Sequence, residues 1–263
     1  MLIGIGGISV QQRGGKAPFK PSSIAGLQLW LKADAGVLDA SNNVITVDNT
    51  NVATWQDQSG NGYHVTQSTD ASRPKWRSAA NGLNNLPGLQ WDGTNKDLRR
   101  TQKLFTTAVG LFIVCKFANT TSRLFTVDLG ANYPNDFGIE QNTFGATNGT
   151  NGLLVNDSTF EASGAATTNP QVFALYGPTL VDSSISGNLT YRVNGSTKTL
   201  TQKVGGGVFY NFNFITGFWI GTAAPGNTLN MNGFIYEVLV YNTTLTAGQV
   251  TKIENYLRGK WGI

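Results

Sequence analysis

The chain has 263 residues, of which 40% are hydrophobic, 11% aromatic and 13% charged, with 32 glycines and a net charge of +4. A chain this long hides roughly 70–75% of its unfolded surface and suits a single large all-β domain, while its apolar content excludes an unstructured polymer. Low charge with abundant Gly, Asn, Ser and Thr argues against a helical bundle, and no run of Lys or Arg exceeds two, the densest being Arg99-Arg100, which argues against a nucleic-acid-binding stripe.

Residues 1–23 read as an N-terminal arm. Five glycines up to Gly15 loosen it, and Pro18 and Pro21 forbid a helix at its end. Ile3, Ile5, Ile8 and Val10, followed by Arg13, make it more apolar than a disordered tail. Two readings stand: an anchor that docks on a partner subunit through Ile3, Ile5, Ile8, Val10 and Arg13, or a strand that packs on its own domain. The arm lacks the charged leader of a signal peptide. No stretch approaches the ~20 apolar residues of a membrane span. The expectation is a protein that is not secreted by a standard signal and is not in a membrane.

From residue 24 to 263 the pattern is strand, turn, strand. Leu27–Leu31 is a short apolar run, and Leu111–Phe117 reads as a fully buried strand carrying Cys115 as a small hydrophobe. With one cysteine, no internal disulfide forms. Tyr191–Lys198 is the clearest hairpin, because Asn194-Gly195 supplies the two positive-φ residues of a type I′ turn. Phe234–Tyr241 is apolar on both faces, as a central strand requires. Asn-Gly or Asp-Gly pairs at 61–62, 81–82, 92–93, 148–149, 151–152, 194–195 and 232–233 read as turns. Their spread predicts an antiparallel sandwich with no fixed-period repeat.

One helix is signalled, at the C-terminal end. Thr246 and Gln249 form a capping box, Leu245 and Val250 a hydrophobic staple, and Val250, Ile253 and Leu257 share a face beside Tyr256. Gly259 is the expected stop, with Trp261 packing after it. The helix is expected against one end of the sandwich.

The search for catalytic chemistry yields little. Of four glutamates, Glu140 has Asp136 four residues before it, and that pair would have to share a strand face to serve as the two carboxylates of a glycosidase. The sole histidine, His64, follows Asn61-Gly62 and is expected as an exposed turn residue; with one Cys and one His there is no zinc set. Gly4–Ser9 approaches a dinucleotide loop but lacks its third glycine. Asp57 and Asn61 offer oxygens for calcium in a tight loop. The competing reading, an Asx-type turn that satisfies its own backbone, is preferred. No cofactor is expected.

Taken in order, several motifs form a set: Leu29-Trp30-Leu31-Lys32-Ala33-Asp34, Trp55–Gly62, Leu86–Gly93, Gly233–Tyr241, then Leu245, Ile253, Tyr256-Leu257 and Lys260-Trp261. Over residues 24–263 the chain resembles the laminin-G-like branch of the concanavalin A-like lectin/glucanase superfamily. The resemblance implies a two-sheet antiparallel jelly-roll sandwich that binds sugars or proteins or serves as a spacer. The acid-rich strand of the glucanase members is absent here, and a non-enzymatic role is expected. Domains of this kind behind a short Gly-rich arm are similar to virion proteins of tailed bacteriophages. That implies a capsid decoration, head fibre or tail appendage, homo-oligomeric on the particle, with the major capsid protein or tail proteins as partners. The alternative is a stand-alone carbohydrate-binding module or bacterial adhesin. For surface glycans, Tyr133, Phe137, Tyr210 and Trp219 are the candidate stacking residues, core packing being the competing account of each.

Overall fold

The computed structural model describes residues 18–101, 104, 108–118, 122–128, 137–141, 150–155, 158–165, 167–177, 189–204, 217–222 and 230–263. Within them, nineteen strands form two antiparallel sheets, the sandwich expected, with one α-helix following the last strand.

The first sheet is organised on β9 (Val109–Phe117) and β19 (Asn232–Tyr241). Every residue of β9 except Lys116 is buried, because one face meets the core and the other lies beneath the helix. Beyond β9 come β14 (Gln171–Gly177), β15 (Thr190–Val193) and β16 (Ser196–Lys198). The other edge of β19 is shared: its first residues pair with β7 (Gly88–Asp92) and its last with β1 (Leu27–Lys32). β6 (Lys75–Arg77) and β3 (Thr50–Asn51) complete the sheet. Asn194 and Gly195 have φ of 49° and 80°, as the β15–β16 hairpin requires.

The second sheet runs β17 (Leu200–Val204), β13 (Ser158–Ala165), β12 (Thr150–Val155), β11 (Phe137–Gln141), β10 (Ser122–Asp128), β18 (Gly217–Ile220), β8 (Leu98–Arg100), β5 (Val65–Thr66), β4 (Thr54–Trp55), β2 (Val37–Leu38). Its inner face contributes Trp55, Val65, Leu98, Phe218 and Ile220 to the core, each at most 1% exposed. Asn151-Gly152 and Asn232-Gly233, read as turns, lie in β12 and β19. At Gly233 the reason is steric: φ is +140° and a Cβ would stand 2.1 Å from the Lys116 carbonyl oxygen of β9. The glycine there permits a close strand crossing.

The helix α1 (Ala247–Trp261) begins as expected, with Thr246 and Gln249 in a reciprocal capping box. Its end and its place differ from expectation. It lies across the face of the first sheet, over β9 and β14, and not at an end of the sandwich. It passes through Gly259 and stops at Gly262, whose φ is +69°. Continuing for that last stretch brings Trp261 to full burial and Lys260 to a buried carboxylate, which outweighs one poor helix former. That carboxylate is Glu237. It is wholly buried and accepts from Trp30 Nε1 (2.6 Å), Tyr256 Oη (2.9 Å), Lys260 Nζ (2.8 Å) and Trp261 Nε1 (2.8 Å). A second tie joins helix to sheet: Arg192 of β15 grips Glu254 bidentately at 2.9 and 3.0 Å.

Of the arm, residues 18–23 are described and lie on the domain. Phe19 packs edge-on against Tyr256, and the Tyr241 hydroxyl donates to the Pro21 carbonyl at 2.9 Å. Ile3, Ile5, Ile8, Val10 and Arg13 fall outside the described residues.

Candidate functional site

Strand alternation gives the second sheet an outward face as well as an inward one. Direct pairing aligns Leu38, Thr54, Thr66, Arg99 and Trp219 in one row across β2, β4, β5, β8 and β18. Directly paired residues share a face. Phe218 and Ile220 on either side of Trp219 are buried in the core, so the half-buried Trp219 belongs to the outward row, as the immediate cross-strand neighbour of Arg99.

Beside this row lies an open cavity of about 600 Å³, lined by Thr54, Gln56, His64, Thr66, Arg99 and Arg100 together with Leu38, Asn42 and Thr101. The period of two explains the set. Thr54 and Gln56 flank the buried Trp55, His64 and Thr66 flank the buried Val65, and Arg99 follows the buried Leu98. The volume falls in the ordinary range of small-ligand sites.

A tight loop holds one wall. Asp57, between β4 and β5, accepts the backbone N–H groups of Trp30, Ser59 and Tyr63 and the Ser59 hydroxyl at 2.7–3.0 Å. Asn61 donates its amide to the carbonyls of Leu27 and Gln28. Both carboxylate oxygens of Asp57 thus face N–H and O–H donors, and Asn61 presents a donor to β1. This is the Asx-type arrangement, and it places the two calcium candidates in a structural stitch between the two sheets. The Asp57 N–H in turn donates to His64 Nδ1 at 3.0 Å. His64 is therefore a half-buried, positioned ring lining the cavity, not an exposed turn residue. With Nδ1 accepting, the neutral ring carries its proton on Nε2.

The two arginines are also positioned. Asp97, 2% exposed, takes one edge of Arg99: Nη2 donates to Oδ1 at 3.2 Å, and Nε lies 2.7 Å from Oδ2 as a charge contact. Burial pushes the Asp97 carboxyl above its usual range despite Arg99 and Gln67 beside it. The Arg100 guanidinium lies 5.4 Å from the centre of the Tyr63 ring and donates to the His64 carbonyl at 3.1 Å.

Of the residues expected from sequence to bind glycans, Trp219 is on this face. Phe137 opens β11, paired with Val127 and Val155. Tyr133 and Tyr210 lie outside the described residues, as does Asp136. Glu140 is placed in β11, opposite Arg123 and Gly152, by its backbone alone. Sequence reading did not assign Arg99, Thr54, Thr66, Gln56 or His64 to a site. The usable signal was the polar–apolar–polar triplets at 54–56 and 64–66.

No family model matches the sequence, and no curated protein matches it. Solved structures match in fold. Domain 4 of AbnA, a GH43 extracellular arabinanase from Geobacillus stearothermophilus solved in complex with arabinotriose, aligns over 87% of this chain and 98% of its own, with 13% identity and a TM-score of 0.56. A GH54 α-L-arabinofuranosidase aligns over 91% of this chain and 60% of its own, with 14% identity and a TM-score of 0.58. Trypanosoma rangeli sialidase aligns over 90% of this chain and 33% of its own, with 13% identity and a TM-score of 0.52. The chain thus matches the full length of the arabinanase domain but only parts of the other two enzymes. At such identities the likeness is one of fold: a lectin-like β-sandwich.

Proposed function

We propose that this chain is a glycan-binding module whose site is the outward face of the second sheet. The observation that carries this reading is Trp219 as the cross-strand neighbour of Arg99, which lines an open cavity together with Thr54, Thr66, Gln56 and His64. An aromatic ring offers an apolar surface to the C–H face of a sugar, and the surrounding side chains supply donors and acceptors for its hydroxyls. Domain 4 of the arabinanase, which holds arabinotriose, has the same fold over its whole length, and this supports the reading at the level of scaffold. Among the described residues the lining contains no carboxylate pair, so the reading is of binding without catalysis. Glycan-array binding by the intact chain, compared with Trp219→Ala, tests it. Binding that Trp219→Ala abolishes supports the site; an array without signal overturns it.

The particle setting is proposed on the sequence alone. Residues 1–23 would anchor homo-oligomers to capsid or tail proteins of a tailed bacteriophage, after assembly in the host cytoplasm, with the sandwich facing outward. Mass spectrometry of purified particles tests this. A high copy number fits a capsid decoration and a low one a fibre or tail appendage; absence leaves the stand-alone module or adhesin.

A further inference from the structure

We infer that the glycan taken by this face is acidic, its carboxylate received by Arg99 with Arg100 as a second cation. The inference deepens the glycan-binding reading and rests on it.

Charge is the first ground. The residues lining the cavity include Arg99 and Arg100 and, among those described, no Asp or Glu. The acids nearest in sequence are turned to other work. Asp97 is buried behind Arg99, Asp57 is 7% exposed with its oxygens taken by backbone and hydroxyl donors, and Asp39, beside Leu38, accepts the N–H groups of Ser41 and Asn43 within its own turn. A sugar hydroxyl can accept from a guanidinium, but it matches neither the fork nor the charge. A carboxylate gains a charge-assisted, two-pronged partner.

Geometry is the second ground. Asp97 engages the Nε and Nη2 edge of Arg99, which fixes the plane of the guanidinium, and the side chain remains 38% exposed. Nη1 makes no hydrogen bond to a described residue. A guanidinium anchored from behind loses less side-chain entropy on binding than a solvated one. Arg100 is steadied by the Tyr63 ring and the His64 carbonyl. Trp219 stands in register with Arg99, so a sugar ring stacked on the indole carries its carboxylate towards the guanidinium, while Thr54, Gln56 and Thr66 remain for hydroxyls. The ligand class is therefore a uronic- or sialic-acid-bearing chain.

The experiment measures binding of the intact chain to five probes. These are an α-1,4-oligogalacturonate, the same chain as its methyl ester, 2,3-sialyllactose, chondroitin sulfate and cellohexaose. The free acid or sialoside is expected to bind about tenfold more tightly than the ester and cellohexaose. The double variant Asp97→Asn/Arg99→Gln, which leaves no stranded buried charge, is expected to remove that preference. Should it fail to fold, Arg99→Lys keeps the charge but loses the fork, and is expected to weaken the acid probes several-fold. Equal binding of acid and ester overturns the inference and leaves the glycan reading standing. Binding through sulfate alone, or an acid preference that survives the variants, also overturns it. No binding to any probe overturns the glycan reading itself.

Discussion

Trp30 and Trp261 meet on opposite oxygens of one buried carboxylate: Trp30 Nε1 donates to Glu237 Oε1 at 2.6 Å and Trp261 Nε1 to Oε2 at 2.8 Å. One indole comes from β1 and the other from the last residue of α1, so the first strand, the central strand and the helix are fastened at a single point. Lys260 supplies the compensating charge at 2.8 Å and also reaches Asp34 at 2.9 Å. With both indoles, the Tyr256 hydroxyl and the ammonium in place, the carboxylate is fully served, which is the condition for burying a charge without a large penalty.

Removing that acceptor is expected to be costly. Glu237→Ala leaves three hydrogen-bond donors without their acceptor and the Lys260 ammonium with Asp34 as its remaining partner, and a loss of about 3–5 kcal/mol is expected. Glu237→Gln retains the shape and one acceptor, and should lose less. Urea unfolding of the two variants checks the order; equal stabilities would show that the network carries no weight.

Trp219→Ala is expected to separate binding from folding. The side chain lies on the outward face, so stability should change by no more than about 1 kcal/mol. Glycan affinity should fall by roughly tenfold or more, as for a central aromatic anchor. Calorimetry beside thermal unfolding reads both.

Gly221→Ala should be strongly destabilising. The residue has φ of +93°, and a Cβ there would stand 2.0 Å from Nε1 of the fully buried Trp91. Left-handed strain and overpacking act together, for an expected loss of about 2–4 kcal/mol, seen as a lowered urea midpoint.

Two aspartates should oppose one another in acid. The Ser78 N–H and Arg77 hold the Asp48 carboxyl at about 2 against an ordinary 3.8. Its folded value lies below its unfolded one, so its contribution is complete above 3.8 and is lost as the pH falls to about 2. Asp97 has the opposite sign. Burial raises its folded value, so its ionised form costs stability above that value, and acid relieves the cost. Carboxyl NMR titration should give Asp48 a midpoint near 2 and Asp97 one above 3.8. Asp48→Asn should lower the melting temperature at neutral pH and have little effect at the acid end.

Thr246→Ala removes the hydroxyl that accepts the Gln249 N–H at 3.3 Å. A loss of about 1 kcal/mol is expected in thermal unfolding.

The features legible in the sequence are those that local chemistry decides. The buried strand around Cys115, the central strand at Phe234–Tyr241, the Asn194-Gly195 turn and the Thr246 cap are each written in a short window. Gly259 misled because the gain from seating Trp261 and Lys260 is tertiary and lies in Glu237, on another element. Asn232-Gly233 misled because its glycine serves a neighbouring strand and not a turn. The site was half legible. Trp219 stood out as an aromatic, whereas Arg99 is its neighbour only through the β8–β18 register, which no local pattern encodes.

The position of β19 also sets a timetable for synthesis. It is the last strand made, yet it lies between β9 on one edge and β7 and β1 on the other. Until a ribosome has released it, the apolar edge of β9 has no partner on that side, and β1 and β7 have nothing to join them to the sheet. A nascent chain therefore carries an open, sticky edge while residues 118–231 are made, and any fragment that ends between them keeps it. Such fragments belong in the insoluble fraction, and prompt completion of the chain protects this protein from its own middle.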